Sequence, residues 1–260
     1  MKPREYPAMR PTDVYLFGTC VIDLFMPQAG LDAVRLLERE GVAVHYPRGQ
    51  SCCGQPAYSS GNPQQAREVA KAQMALFPQD WPVIVPSGSC AGMMRHHWPE
   101  LFADDPALLE QARALAERIY ELSEFLLHVL HVRFPAVAGQ ADEDVVLHTS
   151  CGARREMGTR AHGVALLDDM PGVRRLEHAR ESECCGFGGT FCLKHPDISG
   201  AMVAEKVTSA CATGASRLVS ADCGCLLNIG HAAQHSGARL EVEHMASFLL
   251  RRSSAAGEQP

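Results

Sequence analysis

No run of about 18 apolar residues occurs in the chain, so no membrane-spanning helix is expected. The opening stretch, Met1 to Thr12, has charges and three prolines but no apolar centre, so no secretory signal is expected either. Positive charge is not in excess. With 24 Lys and Arg against 30 Asp and Glu, the formal charge is −6, which argues against nucleic acid as the main partner. A G-x-G-x-x-G fingerprint for a flavin or nicotinamide cofactor is missing. Gly186-Phe187-Gly188-Gly189 has the glycines of a phosphate loop without its Lys or spacing, and reads as close-packed backbone. Ser87-Gly88-Ser89 is not a nucleophile elbow, and no Ser/His/Asp hydrolase set stands out.

What the chain does have is cysteine. It has 260 residues, 46% hydrophobic and 21% charged, an ordinary soluble composition. A chain of that size buries roughly 70–75% of its unfolded surface, enough for one large domain or two of usual size. Eleven cysteines in a chain without an export signal read as metal ligands or reactive groups in a reducing, cytoplasmic setting rather than as disulfides. Two adjacent pairs, Cys52-Cys53 and Cys184-Cys185, strengthen this, because neighbouring Cα atoms about 3.8 Å apart bridge only through a strained ring.

The cysteines expose a duplication. Phe17-Gly-Thr-Cys20 matches His148-Thr-Ser-Cys151, Cys52-Cys53-Gly54 matches Cys184-Cys185-Gly186, and the segment ending at Cys90 matches the one ending at Cys225. The offsets are 131, 132 and 135 residues, too long for a solenoid, and they imply two similar lobes. In the first lobe, Val14–Phe17, Val42–Tyr46 and Pro82–Val85 read as strands. Helices are expected over Leu31–Glu40, from Pro63 to about Phe77, and from Cys90. In the second, strands are expected at Val145–His148, Val173–Leu176, Arg217–Ser220 and Leu240–Val242. Its helices are expected at Ala161–Asp169, Ile198–Ala212, Cys225–Gln234 and Met245–Arg251. Pro106–Phe134, rich in Leu, Ala and Glu, reads as connecting helix, and Arg251 to Pro260 as a fraying tail. The expected organisation is a first lobe with connecting helices over residues 1–138 and a second with the tail over 139–260, the boundary falling in Gly139–Asp144. Strands alternating with helices make each lobe α/β, a small parallel sheet with flanking helices. The repeated cysteines then fall in β-to-α loops at the carboxyl ends of the strands, where ligands gather in such sheets.

Each lobe thus gathers four thiols: Cys20, Cys52, Cys53 and Cys90, then Cys151, Cys184, Cys185 and Cys225. Four thiolates suit zinc or an iron–sulfur cluster. Gly54 and Gly186 supply the positive φ that a Cys-Cys turn around one site requires. Cys223 is a candidate fifth ligand of the second centre, where the first copy has Gly88. Cys211 and Cys192 read as space-filling thiols. His45, His96, His97, His148 and His231 form a second ligand pool, each read first as a solvated or hydrogen-bonded side chain.

At Gly18-Thr19-Cys20, Cys52-Cys53-Gly54-Gln55-Pro56, Ser87-Gly88-Ser89-Cys90 and Cys184-Cys185-Gly186-Phe187-Gly188-Gly189-Thr190, the chain resembles the CCG, or cysteine-rich domain, family of iron–sulfur oxidoreductases. The resemblance covers Asp13 to Arg252. The family includes the B component of heterodisulfide reductase and the iron–sulfur component of glycolate oxidase, and the likeness is greatest to its stand-alone two-domain lactate-utilization branch. It implies one or two clusters of [4Fe-4S] type, and an electron-transfer subunit in oxidation of a 2-hydroxy acid, L-lactate to pyruvate. It also implies two partner proteins, B and C, of which B is a ferredoxin-type iron–sulfur protein. The present chain has no Cys-x₂-Cys-x₂-Cys-x₃-Cys run, so electrons must pass to or from another subunit. The heterodisulfide reductase pattern ends in Cys-x-x-Cys around a non-cubane cluster, and here Ser87 and Asp222 hold the earlier position. That departure argues against the non-cubane form and leaves zinc in one lobe open. A zinc-stabilised scaffold and a metal-free dithiol oxidoreductase are the alternatives in other classes.

Overall fold

The computed structural model describes residues 4–255. Two four-stranded sheets, parallel throughout, share one topology. β1 (Asp13–Leu16), β2 (Ala43–His45), β3 (Val83–Val85) and β4 (Ile119–Glu121) lie in the order β2-β1-β3-β4. β5 (Glu143–Leu147), β6 (Val173–Leu176), β7 (Arg217–Ser220) and β8 (Glu241–His244) lie in the order β6-β5-β7-β8. Val83, Ile84 and Val85 are wholly buried, as expected of a central parallel strand covered on both faces. In each sheet the chain reverses direction between the two middle strands, which creates a crevice at their carboxyl ends.

β4 corrects the expected connecting helix over 106–134. Helix Pro106–Ala116 ends, β4 pairs with β3, and a new helix runs over Leu122–His128. Its counterpart is β8, and each begins a helix through a side-chain cap: Glu121 accepts from the Ser123 and Glu124 amides, and His244 from the Ala246 amide. The fraying tail is corrected too. Helix Met245–Ser253 is packed, with Arg252 only 5% exposed and donating to the carbonyls of Ala141, Pro171 and Gly172. Residues 256–260 of that tail lie outside the described residues. Among the described residues no helix is long and apolar enough to cross a membrane.

The largest apolar cluster belongs to both halves. Leu16, Ile84, Phe125 and Leu126 of the first half join Val145, Leu147, Leu167 and Phe248 of the second. Helix Met245–Ser253 packs on helix Pro27–Arg39, and helix Leu122–His128 on helix Thr159–Asp168. The lobes are therefore locked together by buried area, the term that dominates such associations.

A second contact between lobes lies nearer the site. Helix Gly88–Gly92 continues through a π-helical turn, Met93–His97, and crosses a matching turn, Ala153–Met157. Gly88 permits the crossing, since a Cβ there would sit 2.5 Å from that of Ala153. His97 spans the junction, 3.1 Å from Glu100 and 3.0 Å from Glu156. Burial pulls its imidazole down, but the hydrogen bonds to Glu156 and Glu100 outweigh it and the pKa is raised above 6.5. A raised folded value means the bridge stabilises fully below about pH 6.5 and is lost as pH rises through the folded value. The urea midpoint of the wild type should therefore fall more steeply between about pH 6 and 8.5 than that of Glu156→Gln. Equal slopes would contradict this.

Candidate metal centre between the lobes

Each cysteine is placed by a different local device. Thr19, at φ 54°, caps helix Cys20–Phe25 and turns Cys20 into its first position. Gln50 accepts from the Gly18 amide at 2.9 Å and donates to Leu16 O at 2.8 Å, tying the end of β1 to the loop that brings Cys52. Buried Gln73 holds the same loop through both Ser51 N and Ser51 Oγ. The Ser87 hydroxyl caps the helix that carries Cys90.

The two Cys-Cys-Gly turns are near copies. Gly54 (φ 89°) donates its N–H to Cys52 Sγ at 3.4 Å, and Gly186 (φ 84°) donates to Cys184 Sγ at 3.3 Å. At Gly186 a Cβ would also come within 2.7 Å of Ser199 O, so glycine is required for space as well as for φ. The carbonyl of the second cysteine is fixed in both copies, by Trp98 Nε1 at Cys53 and by Asn228 Nδ2 at Cys185. Beneath the second turn Lys206, 1% exposed, donates to Arg180 O and to Glu181 O.

Within each lobe the thiols touch in sequence. Cys52 takes hydrogen bonds from Cys20 and Cys53, and Cys53 also meets Cys90. Cys184 is related in the same way to Cys151 and Cys185, and Cys185 to Cys225. Those bonds pull Cys52 and Cys184 strongly toward thiolate. Donating them, then burial, pushes Cys20, Cys53, Cys151 and Cys185 up. A metal binding here must displace the remaining protons, so its uptake releases acid.

The lobes then do something their separate patterns do not announce. All nine candidate cysteines, the eight repeated ones and Cys223, line one cavity of about 340 Å³ between the lobes. Ser87 and Asp222, on the wall of this cavity, form a cross-lobe junction. Asp222 Oδ1 accepts from Ser87 Oγ at 3.2 Å and from the Ser89 amide at 3.0 Å. His244 Nε2 lies 3.0 Å from Pro86 O and 3.1 Å from Ala221 O, the carbonyls just before them. At the rim, Ser60 and Thr190 hydroxyls meet at 2.8 Å. Cys223 packs against Ile22 and Ala29 of the first lobe, and burial raises its pKa.

The other residues singled out lie elsewhere. Cys192 contacts Gly189 O at 3.6 Å, Cys211 is half-buried beside the second-lobe core, and neither lines the cavity. His45 pairs with Asp13 and stacks on Trp81, and His231 is exposed. Among the pooled histidines only His148 lines the cavity. It is 1% exposed, and burial, then Lys206 and His178, depress its pKa to about 3, which leaves it neutral. Trp98, Asn228, Gln73 and Lys206 went unread in the sequence because they act on backbone atoms, which leave no ligand-like spacing.

The donor set suits soft metal chemistry. Four clustered thiols per lobe match the thiolate preference of zinc and iron–sulfur clusters. Both His148 nitrogens and Asp222 Oδ2 are buried without a partner on the wall of the same cavity, as expected where a bound group completes the site.

Fold and site together define a duplicated α/β thiolate protein, with both cysteine sets opening on one interlobe cavity. The family model described as "CCG: Cysteine-rich domain" matches residues 14–95 and 145–230, once per repeat, and the chain belongs to that family. It is 43% identical to Lactate utilization protein A of Shouchella clausii, over 91% of this chain and 98% of that one. It is 42% identical to the Bacillus subtilis protein of the same name, over 92% and 99%. Among solved structures, a hypothetical protein from Helicobacter pylori shares the fold. The TM-score is 0.65 at 11% identity, covering 98% of this chain and 52% of that one.

Proposed function

We propose that the chain is an iron–sulfur electron-transfer subunit of an assembly that oxidises a 2-hydroxy acid, L-lactate to pyruvate by its likeness to the relatives named above. The observation that carries the reading is the pair of four-thiol sets facing one cavity. Cys20, Cys52, Cys53 and Cys90 would hold one centre, and Cys151, Cys184, Cys185 and Cys225 the other, with Cys223 beside them. A bound cluster supplies one-electron redox chemistry.

The chain's own residues supply the rest. The Gly54 and Gly186 amides point at ligand sulfurs, the kind of hydrogen bond that tunes potential. Trp98 and Asn228 fix the Cys-Cys turns, and Ser87 with Asp222 fixes the distance between lobes. The reading places the chain in a reducing compartment such as the cytoplasm, where thiols persist as metal ligands. With no ferredoxin-type run of its own, the chain would exchange electrons with a ferredoxin-type partner, inside an assembly that includes a third protein.

Stepwise anaerobic reduction of the purified chain tests this. Visible charge-transfer absorbance that bleaches on reduction and returns on reoxidation is the expected result. Absorbance indifferent to reductant, after anaerobic iron and sulfide reconstitution, would count against electron transfer.

A further inference from the structure

The two sulfur sets differ in one wall residue. His148 stands at the end of β5, three residues before Cys151, and Phe17 stands three before Cys20. Phe17 is wholly buried, ringed by apolar neighbours including Phe77, so a hydrocarbon ring fills that position without polar cost. His148 is buried to the same degree, yet neither ring nitrogen has a hydrogen-bond partner. A buried imidazole left unpaired is unfavourable, and the first lobe shows that packing alone does not demand a polar ring here. One imidazole nitrogen, Cys185 Sγ and Cys225 Sγ all lie within 4.8 Å of one another. That separation lets a single metal ion touch all three.

Resting on the reading that the lobes hold metal, we propose that His148 is an imidazole ligand of the second-lobe centre, beside the thiolates of Cys185 and Cys225. The second centre is then a mixed sulfur–nitrogen site and the first all-sulfur. Ligand type is among the determinants of cluster potential, so the two centres differ in potential as well as in spectrum. Lys206, buried beneath the same turn, adds a positive charge on that side. The neutral Gln73 braces the corresponding loop of the first lobe.

Pulsed EPR of the full chain tests the assignment, using anaerobically purified, reduced protein with histidine at natural abundance or labelled with ¹⁵N. The expected result is a strongly coupled imidazole nitrogen that changes with the isotope. It should vanish in His148→Phe, a variant that copies the first lobe and should keep the first-lobe signal. Absence of isotope-sensitive coupling in the unaltered chain overturns the proposal, and this comparison does not depend on the variant folding. Coupling that persists in a folded His148→Phe protein also overturns it. Zinc without sulfide would instead defeat the electron-transfer reading. The ligand question would then be settled at the zinc absorption edge, where a shell containing nitrogen supports His148 and an all-sulfur shell overturns it.

Discussion

Cys185→Ser should empty the second lobe of metal while the first lobe keeps its own, and Cys53→Ser should do the reverse. Each variant should therefore retain about half the iron of the wild type, and the double variant almost none. The expectation follows from position. Cys53 and Cys185 are each 2% exposed, at the middle of their thiol sets, touching a neighbour on both sides. Serine keeps nearly the same shape but offers a hard oxygen where soft sulfur is required. The backbone should hold, because Trp98 and Asn228 bind the carbonyls rather than the side chains. Iron analysis with circular dichroism on the same samples separates loss of ligand from loss of fold. If each single variant lost all of its metal, or none, the lobes would not be independent centres of the kind described.

Glu124→Ala should be the most damaging change outside the site. Glu124 is 2% exposed and receives Arg95 at 2.7 Å, Arg4 at 3.1 Å, and the Glu121 amide at 3.3 Å. Removing the carboxylate strands the half-buried Arg95 guanidinium, left with the Ile119 carbonyl and the face of the Tyr120 ring. Breaking one partner of a buried pair costs about 3–5 kcal/mol. For a chain of this size that lowers Tm by roughly 10 °C. Glu124→Gln keeps hydrogen-bonding capacity and should lose less. Arg95 lies on the π-helical turn beyond Cys90, so the loss should also loosen the first-lobe wall. Thermal unfolding of both variants measures it, and a shift of Tm within error for Glu124→Ala would refute the argument.

These features differ in how far the sequence announces them. Val173–Leu176 and Arg217–Ser220 are readable to the residue, because each short run opens just after turn-forming sequence, Pro171-Gly172 and Gly214-Ala215-Ser216. β4 is not. Ile119-Tyr120-Glu121 is three residues long, between segments of strong helix formers, and only pairing to buried β3 makes it a strand. The placement of the cysteines at strand ends was legible because the duplication states it twice. That both sets open on one cavity was not legible. It depends on long-range fits, such as Gly88 against Ala153 and Ser87 against Asp222, whose partners are far apart in the chain. Arg251 and Arg252 looked like a polar tail because the acceptors that bury Arg252 come from Ala141, Pro171 and Gly172. His148 is one of five candidate ligand histidines in the sequence, and only its neighbours in the fold separate it from the other four.

Iron, acid-labile sulfide and zinc per chain, measured on anaerobically purified protein, test the central claim most directly. Two thiol sets that each hold a cluster predict about eight irons and eight sulfides. One or two zincs with no sulfide, persisting after anaerobic reconstitution, would contradict the account and make the protein a zinc-stabilised scaffold.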